Sequence, residues 1–195
     1  MTRLMPTAAQ RSQLERHLDE LETWNRRLNL TAVPRDRAWE RHVDESLALL
    51  EAMAPVARWR VIDIGSGGGL PGLVVAVMRT DLAVTLVEAD RRKAGFLVHV
   101  AGLLDLDNVT VAARRAEEMG HDREHHAGYD AVVSRAAAPP PLLVELAMPL
   151  LRDGASLWAL VADAPAAAAR LTGVEAGAAA VGPGILRVEK LPATA

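Results

Sequence analysis

The sequence predicts an α/β fold: a mostly parallel, seven-stranded sheet with helices on both faces, preceded by a helical extension. Three observations carry this. From about residue 58, short β-branched runs alternate with helical patterns, the mark of βαβ units. Before residue 58, apolar residues recur at helical spacing only. The chain has 195 residues, half of them hydrophobic, which suffices for one domain with a core and a small extension. The expected division is an extension over 1–57, packed on the core, and a sheet domain over 58–195.

The elements follow in order. Residues 8–30 read as a helix, because Leu14, Leu18, Leu21 and Leu28 recur among charges. A second helix is expected over 36–52, capped by Asp36, with Val43, Leu47 and Leu50 on one face and Pro55 closing it. "RVIDIG" is a short buried strand and "LPGLVVAVMR" a helix. "AVTLVEA" is a strand, "RRKAGFLVHVAGLLDL" a helix and "NVTVAA" a strand. "YDAVVSRA" is the fourth strand, "PPLLVELAMPLL" a helix and "ASLWALV" the fifth strand. "PAAAARL" reads as a short helix. "ILRVEKL" is a last strand, paired with the weaker 174–181 segment.

Composition excludes several classes. There are no cysteines, so disulfides, thiolate nucleophiles and Cys-based metal sites are out. The net charge of −3 is not that of a bulk nucleic-acid binder. Aromatics make up 3% of residues, too few for a base-stacking platform. The N-terminus turns polar too soon for a signal peptide, and no apolar run reaches the ~18 residues of a membrane span. A soluble, monomeric, cytoplasmic protein without a metal is expected.

The stretch "VIDIGSGGGLPG" (61–72) runs from a buried strand into nearly bare backbone. In open α/β sheets a glycine-rich turn after the first strand lets a ligand approach the main chain. A dinucleotide wants Gly-x-Gly-x-x-Gly. Gly65 and Gly67 fit that spacing, but position 70 is Leu. S-adenosylmethionine has no pyrophosphate to cradle and needs no third glycine. Asp63 suits its cationic methionine end, directly or through water, and would repel a pyrophosphate. Glu88, at the end of the second strand, stands where an acid accepts ribose hydroxyls, a feature both cofactor classes share. A tight turn without a ligand is the alternative for the glycines, and a solvated strand end for Glu88.

"VIDIGSGGGLPG" together with "LVEADRRKAGFL" resembles the bacterial guanine-N7 methyltransferases of small-subunit ribosomal RNA, the glucose-inhibited division protein B family. "WNRRLNLTAV", "RHVDESL", "RRAEE" and "SRAAAP" match further family elements, in order, from about residue 20 to 160. In "RHVDESL" Glu45 stands where the family has Asp. The resemblance implies a Rossmann-like, class I S-adenosylmethionine-dependent methyltransferase acting on 16S ribosomal RNA or the small subunit. It places cofactor contacts on Gly65, Leu70, Glu88, Ala116, Glu117 and Arg135, and the reading of the glycine loop adds Asp63, Gly67 and Gly69. Arg115 and Arg135 would lie near the transfer site or the RNA. The family's Lys-Gly after the fifth strand is replaced by Val161-Ala162. A diverged relative acting on a small molecule or peptide, or a cofactor-binding module without catalysis, therefore stays open.

The chemistry fits by absence. Guanine N7 carries an in-plane lone pair and no proton, so it attacks a sulfonium methyl without a general base. The Asn/Asp-Pro-Pro-Tyr/Phe motif of exocyclic-amine methylation is missing, as is the cysteine of pyrimidine ring-carbon methylation. Arg135 can bind guanine O6 or a phosphate, or pair with a neighbouring acid. A basic surface is offered by Arg26, Arg27, Arg35, Arg37, Arg41, Arg91, Arg92 and Lys93. Residues 1–60 nevertheless hold ten Arg against nine Asp and Glu. Trp24, Trp39 and Trp59 read as packing residues, Asn29 and Thr31 as turn-formers, and His42 as an interior histidine joining the two parts. "HDREHH" (121–126) reads as a loop without metal.

Overall fold

A computed structural model describes residues 4–135, 137–171 and 176–192. Residues 174 and 175 of the expected last hairpin, and Ala136 of "SRAAAP", lie outside them.

Helix α1 spans Ala8–Leu28. Thr7 and Gln10 form a capping box, each side chain accepting from the other's backbone N–H at 3.3 and 2.9 Å. Leu14, Leu18 and Leu21 are buried, each contributing about 1.5–3 kcal/mol. α2 (Arg35–Ala38), a π-helical turn (Trp39–Asp44) and α3 (Glu45–Met53) replace the single helix expected over 36–52. Asp36 is not the cap. Pro34 takes the N-cap position in extended backbone, and Asp36 sits in the first turn, where its charge suits the helix dipole. Val43, Leu47 and Leu50 do share a buried face.

The strands are β1 (Arg60–Ile64), β2 (Ala83–Val87), β3 (Val109–Ala112), β4 (Tyr129–Arg135), β5 (Leu151–Leu160), β6 (Ala176–Gly182) and β7 (Ile185–Lys190). They form one seven-stranded sheet in the order β3-β2-β1-β4-β5-β7-β6. The first five are parallel, and β7 runs antiparallel to both neighbours, closing the expected hairpin. The order reverses between β1 and β4, which leaves a crevice at their carboxyl ends.

The connecting helices are α4 (Gly72–Met78), α5 (Arg91–Leu103), α6 (Ala116–His121), α7 (Pro140–Ala147) and α8 (Ala164–Ala169). No periodicity announced α6, because its six residues are too few to show one. Alternation along each strand sends Val61, Ala131 and Val133 to one face, and Ile62, Ile64 and Val132 to the other. The first face packs α1, α3, α4 and α5 into one cluster, so the extension and the sheet share a core. The second carries α6, α7 and α8. Extension side chains also serve the carbonyl ends of sheet helices. Gln10 donates to Val77 O at 3.1 Å, and Gln13 to Leu104 O at 2.7 Å. Trp24 rests against Phe96 (ring centroids 5.8 Å apart), and Trp59 packs on the same cluster. Trp39 lies under the Arg11 guanidinium at 4.3 Å.

Candidate active site

The turn after β1 is fastened from three sides. Gly65 and Ser66 donate their backbone N–H groups to Val87 O, both at 3.0 Å. Glu88, just past β2, accepts from Gly67 N at 3.0 Å and from Asp90 N at 2.8 Å, one carboxylate oxygen each. Asp63, buried below, accepts from Gly72 N at 2.9 Å. The third tie comes from the extension. His17 Nε2 donates to Gly68 O at 2.7 Å, since a carbonyl can only accept. Gly67 adopts φ +50°, and among the described residues a Cβ built there meets only Gly65 O, at 3.8 Å. Its backbone is therefore open to whatever occupies the crevice.

A cleft of about 510 Å³ lies over this turn. Its walls include Gly65, Ser66, Gly67, Gly68 and Leu70, with Glu88, Lys93 and Arg135. The extension supplies the other wall, Leu30 to Val33 and His42. Asn25 shapes that loop: its side chain accepts from Leu30 N and Thr31 N at 2.6 and 2.9 Å and donates to Thr31 O at 2.8 Å. Thr31 Oγ1 accepts from Val33 N and bonds His42 Nε2 at 2.9 Å. Asn29 ends α1 in the left-handed region. These residues are turn-formers, as the sequence reading has them. His42 is both interior, at 2% exposure, and part of the cleft wall.

The electrostatics of the buried groups are set by desolvation. His17 and His42 are each lowered from 6.5 to about 4 by burial, so both are neutral. Asp63 is raised from 3.8 to about 7, burial outweighing its bond from Gly72 N–H. Among the described residues its Oδ1 has no hydrogen-bond partner, and neither does Nδ1 of His17 or His42. Arg135 is lowered by burial, partly offset by Glu45.

The sequence-predicted residues divide accordingly. Gly65, Gly67, Leu70, Glu88 and Arg135 meet at the cleft. Asp63 and Gly69 lie beneath the turn, Gly69 against Leu73. Ala116 and Glu117 open α6 just after β3, whose end is tied to the cleft by Glu88 N donating to Ala112 O at 3.1 Å. Arg115 caps that helix, exposed, with no side-chain bond or ion pair among the described residues. Arg135 is held by Glu45 at 3.1 Å and donates to Arg41 O. Lys93, counted above with the basic surface, belongs to the cleft instead. Most other basic residues are spoken for: Arg35 by Asp19, Arg37 by Glu40, Arg41 by Glu45 and Arg92 by Asp90. His121, His125 and His126 bond Glu117 O, Tyr129 OH and Gly120 O. Among the described residues no group of three metal-ligating side chains converges, and no helix is long and apolar enough to cross a membrane.

A second cavity, about 500 Å³, adjoins the cleft with Arg135 in the wall of both. Its lining also includes Arg41, Glu45, Leu160, Val161, Ala162 and Ile185. His17 is a participant that sequence reasoning missed, and Glu45 and the Leu30 to Val33 loop, though inside "RHVDESL" and "WNRRLNLTAV", were given no role at the site. His17 left one trace, a polar residue on the apolar stripe of α1.

The family model described as rRNA small subunit methyltransferase G (GidB) matches residues 10–173. A protein of Roseiflexus castenholzii named ribosomal RNA small subunit methyltransferase G is 43% identical over 143 residues, covering 73% of this chain and 61% of its own length. A protein of the same name from Anaeromyxobacter dehalogenans is 42% identical over 189 residues, covering 95% of this chain and 84% of its own length. The chain thus spans about three fifths of the first relative. The crystal structure of a methyltransferase from Geobacter sulfurreducens shares the fold, with a TM-score of 0.63 at 16% identity, covering 97% of this chain and 92% of that one.

Proposed function

The chain belongs to the rRNA small subunit methyltransferase G family, and from that premise we propose that it transfers the methyl group of S-adenosylmethionine to N7 of a guanine in 16S ribosomal RNA. The observation that carries this is the pairing of two cavities across Arg135. One lies over bare backbone with Glu88 at its side, and the other lies beside it at the end of β5. The first suits the cofactor. It has the volume, an open main chain at Gly67, a carboxylate to accept ribose hydroxyls, and below it a buried carboxylate with one oxygen unpartnered among the described residues.

Glu88 would hold the ribose while keeping the turn in place, Gly67 would leave room for the ligand, Gly65 and Leu70 would line its cleft, and Gly69 would support the turn from beneath. Ala116 and Glu117 would flank the adenine. Asp63 would act from below on the methionine end. When bound, S-adenosylmethionine supplies an electrophilic methyl group on a cationic sulfur. An N7 lone pair would take that methyl group as the bonding pair leaves with sulfur, and the positive charge would pass to the base. No proton has to leave first, so the residues around the junction have only to align the reactants and exclude water. Arg135 would position the acceptor, and Arg115, exposed and free of partners among the described residues, would meet the RNA. Residues 1–57 act within this scheme as an extension of the 58–195 domain, because they supply the second wall of the cleft.

Labelled S-adenosylmethionine and purified small ribosomal subunits test the proposal. The label is expected in 7-methylguanosine after digestion, and unlabelled RNA would sink it. A second reading, with a small or peptide acceptor, draws on Val161 and Ala162, which place no cation where the family has lysine. Cofactor binding without RNA labelling would favour it. Glu88→Ala is expected to weaken adenosylhomocysteine binding about 10- to 100-fold by calorimetry, through lost charge-assisted bonds and a loosened turn. Unchanged affinity would remove Glu88 from the site.

A further inference from the structure

The second cavity has a polar wall that the cofactor does not need. Glu45, the first residue of α3, bridges two guanidinium groups. Its Oε1 lies 2.9 Å from Arg41 Nη1 and its Oε2 3.1 Å from Arg135 Nη1. Glu45 keeps 30% of its side chain exposed, and Leu160, Val161 and Ile185 give the cavity an apolar wall. A flat acceptor entering here meets a hydrogen-bond donor, Arg135, directly beside an acceptor, Glu45.

Both purines carry an N7 lone pair, so the nucleophilic atom cannot tell guanine from adenine. The six-membered ring can. Guanine presents an acceptor, O6, beside a donor, N1–H, whereas adenine presents a donor, N6–H, beside an acceptor, N1. The Arg135–Glu45 pair complements the first order and opposes the second. We infer that Glu45 selects guanine, its carboxylate accepting from N1–H while Arg135 donates to O6. This rests on the guanine-N7 transfer proposed above. A carboxylate has about four acceptor sites, and the two guanidinium contacts use two of them, so the base is read without breaking the ion pairs. As N7 gains its methyl group, positive charge spreads into the ring and N1–H becomes a stronger donor. The bond to Glu45 therefore tightens toward the transition state and acts on kcat more than on KM.

The experiment compares the parent with Glu45→Gln and Glu45→Asp, using small subunits and labelled cofactor. Glu45→Gln is expected to lose about 10- to 100-fold in kcat/KM, mostly in kcat, with adenosylhomocysteine affinity within about twofold of the parent. Glu45→Asp, which keeps the carboxylate, is expected to recover most of the loss. Subunits with adenine at the methylated position are expected to be refused by the parent, and the Gln variant narrows the guanine-to-adenine ratio. Unchanged kcat/KM in Glu45→Gln, or a loss matched by equal loss of cofactor affinity, overturns the inference alone. A parent that labels no guanine overturns the functional reading together with it.

Discussion

Gly72→Ala is expected to lower the melting temperature by roughly 10–15 °C. The new Cβ would stand 2.4 Å from Leu86 Cδ2, 2.6 Å from Asp63 Oδ2 and 2.9 Å from Asp63 Cβ. None of these can swing aside, because Leu86 and Asp63 are both fully buried. Overpacking of this kind costs about 1–3 kcal/mol. Pushing α4 off the sheet also breaks the 2.9 Å bond from Gly72 N to Asp63, leaving a buried carboxylate without a donor, for about 1–3 kcal/mol more. The sum, about 4 kcal/mol, is a shift of that size in a chain of this length. Gly95→Ala is the control. It lies exposed on α5, and a Cβ there meets nothing within 4 Å among the described residues, so it should raise stability by about 0.5–1 kcal/mol. If Gly72→Ala melted with the parent, α4 could not be seated on Asp63 and Leu86 as described.

The same turn shows how far local sequence reaches. A β-branched strand entering four near-consecutive glycines, with an acid two residues before and another after the next strand, is a pattern within thirty residues, and it locates the cleft. Its second wall is not local. His17 meets Gly68 across 51 positions, and Arg135 meets Arg41 across 94. Nothing in either neighbourhood states the partner, so Arg135 shows its charge in the sequence but not its engagement with Glu45. The π-helical turn escaped for another reason. Its Val43 keeps helical spacing with Leu47 and Leu50 of α3, and the wider turn leaves no compositional mark. Yet it is this segment that brings His42 to Thr31 and the cleft.

Asp63→Asn is expected to change stability and cofactor binding in opposite directions, with pH as the diagnostic. Asp63 is raised from 3.8 to about 7, so between those values the folded chain holds one more proton there than the unfolded chain. Its contribution to stability therefore falls as pH rises through that window and levels off above about 7, a total of about 4 kcal/mol. The parent's melting curve alone hides this, because His17 and His42 pull the other way. Each drops from 6.5 to about 4, so the unfolded chain binds more protons between those values and stability rises with pH. The difference between parent and variant isolates Asp63: Asp63→Asn should gain on the parent steadily from pH 4 to 7 and hold its advantage above. Cofactor affinity runs the opposite way. A cationic methionine end favours the ionised carboxylate, so parental affinity should climb up to about tenfold per pH unit toward 7 and then flatten. The variant should bind more weakly at pH 8 and show no such climb. A carboxylate that destabilises the empty fold is then retained for the charge it presents to the ligand. Calorimetry from pH 5.5 to 8.5 decides, since parallel affinity profiles for parent and variant would separate Asp63 from cofactor binding and leave it with only the seating of Gly72.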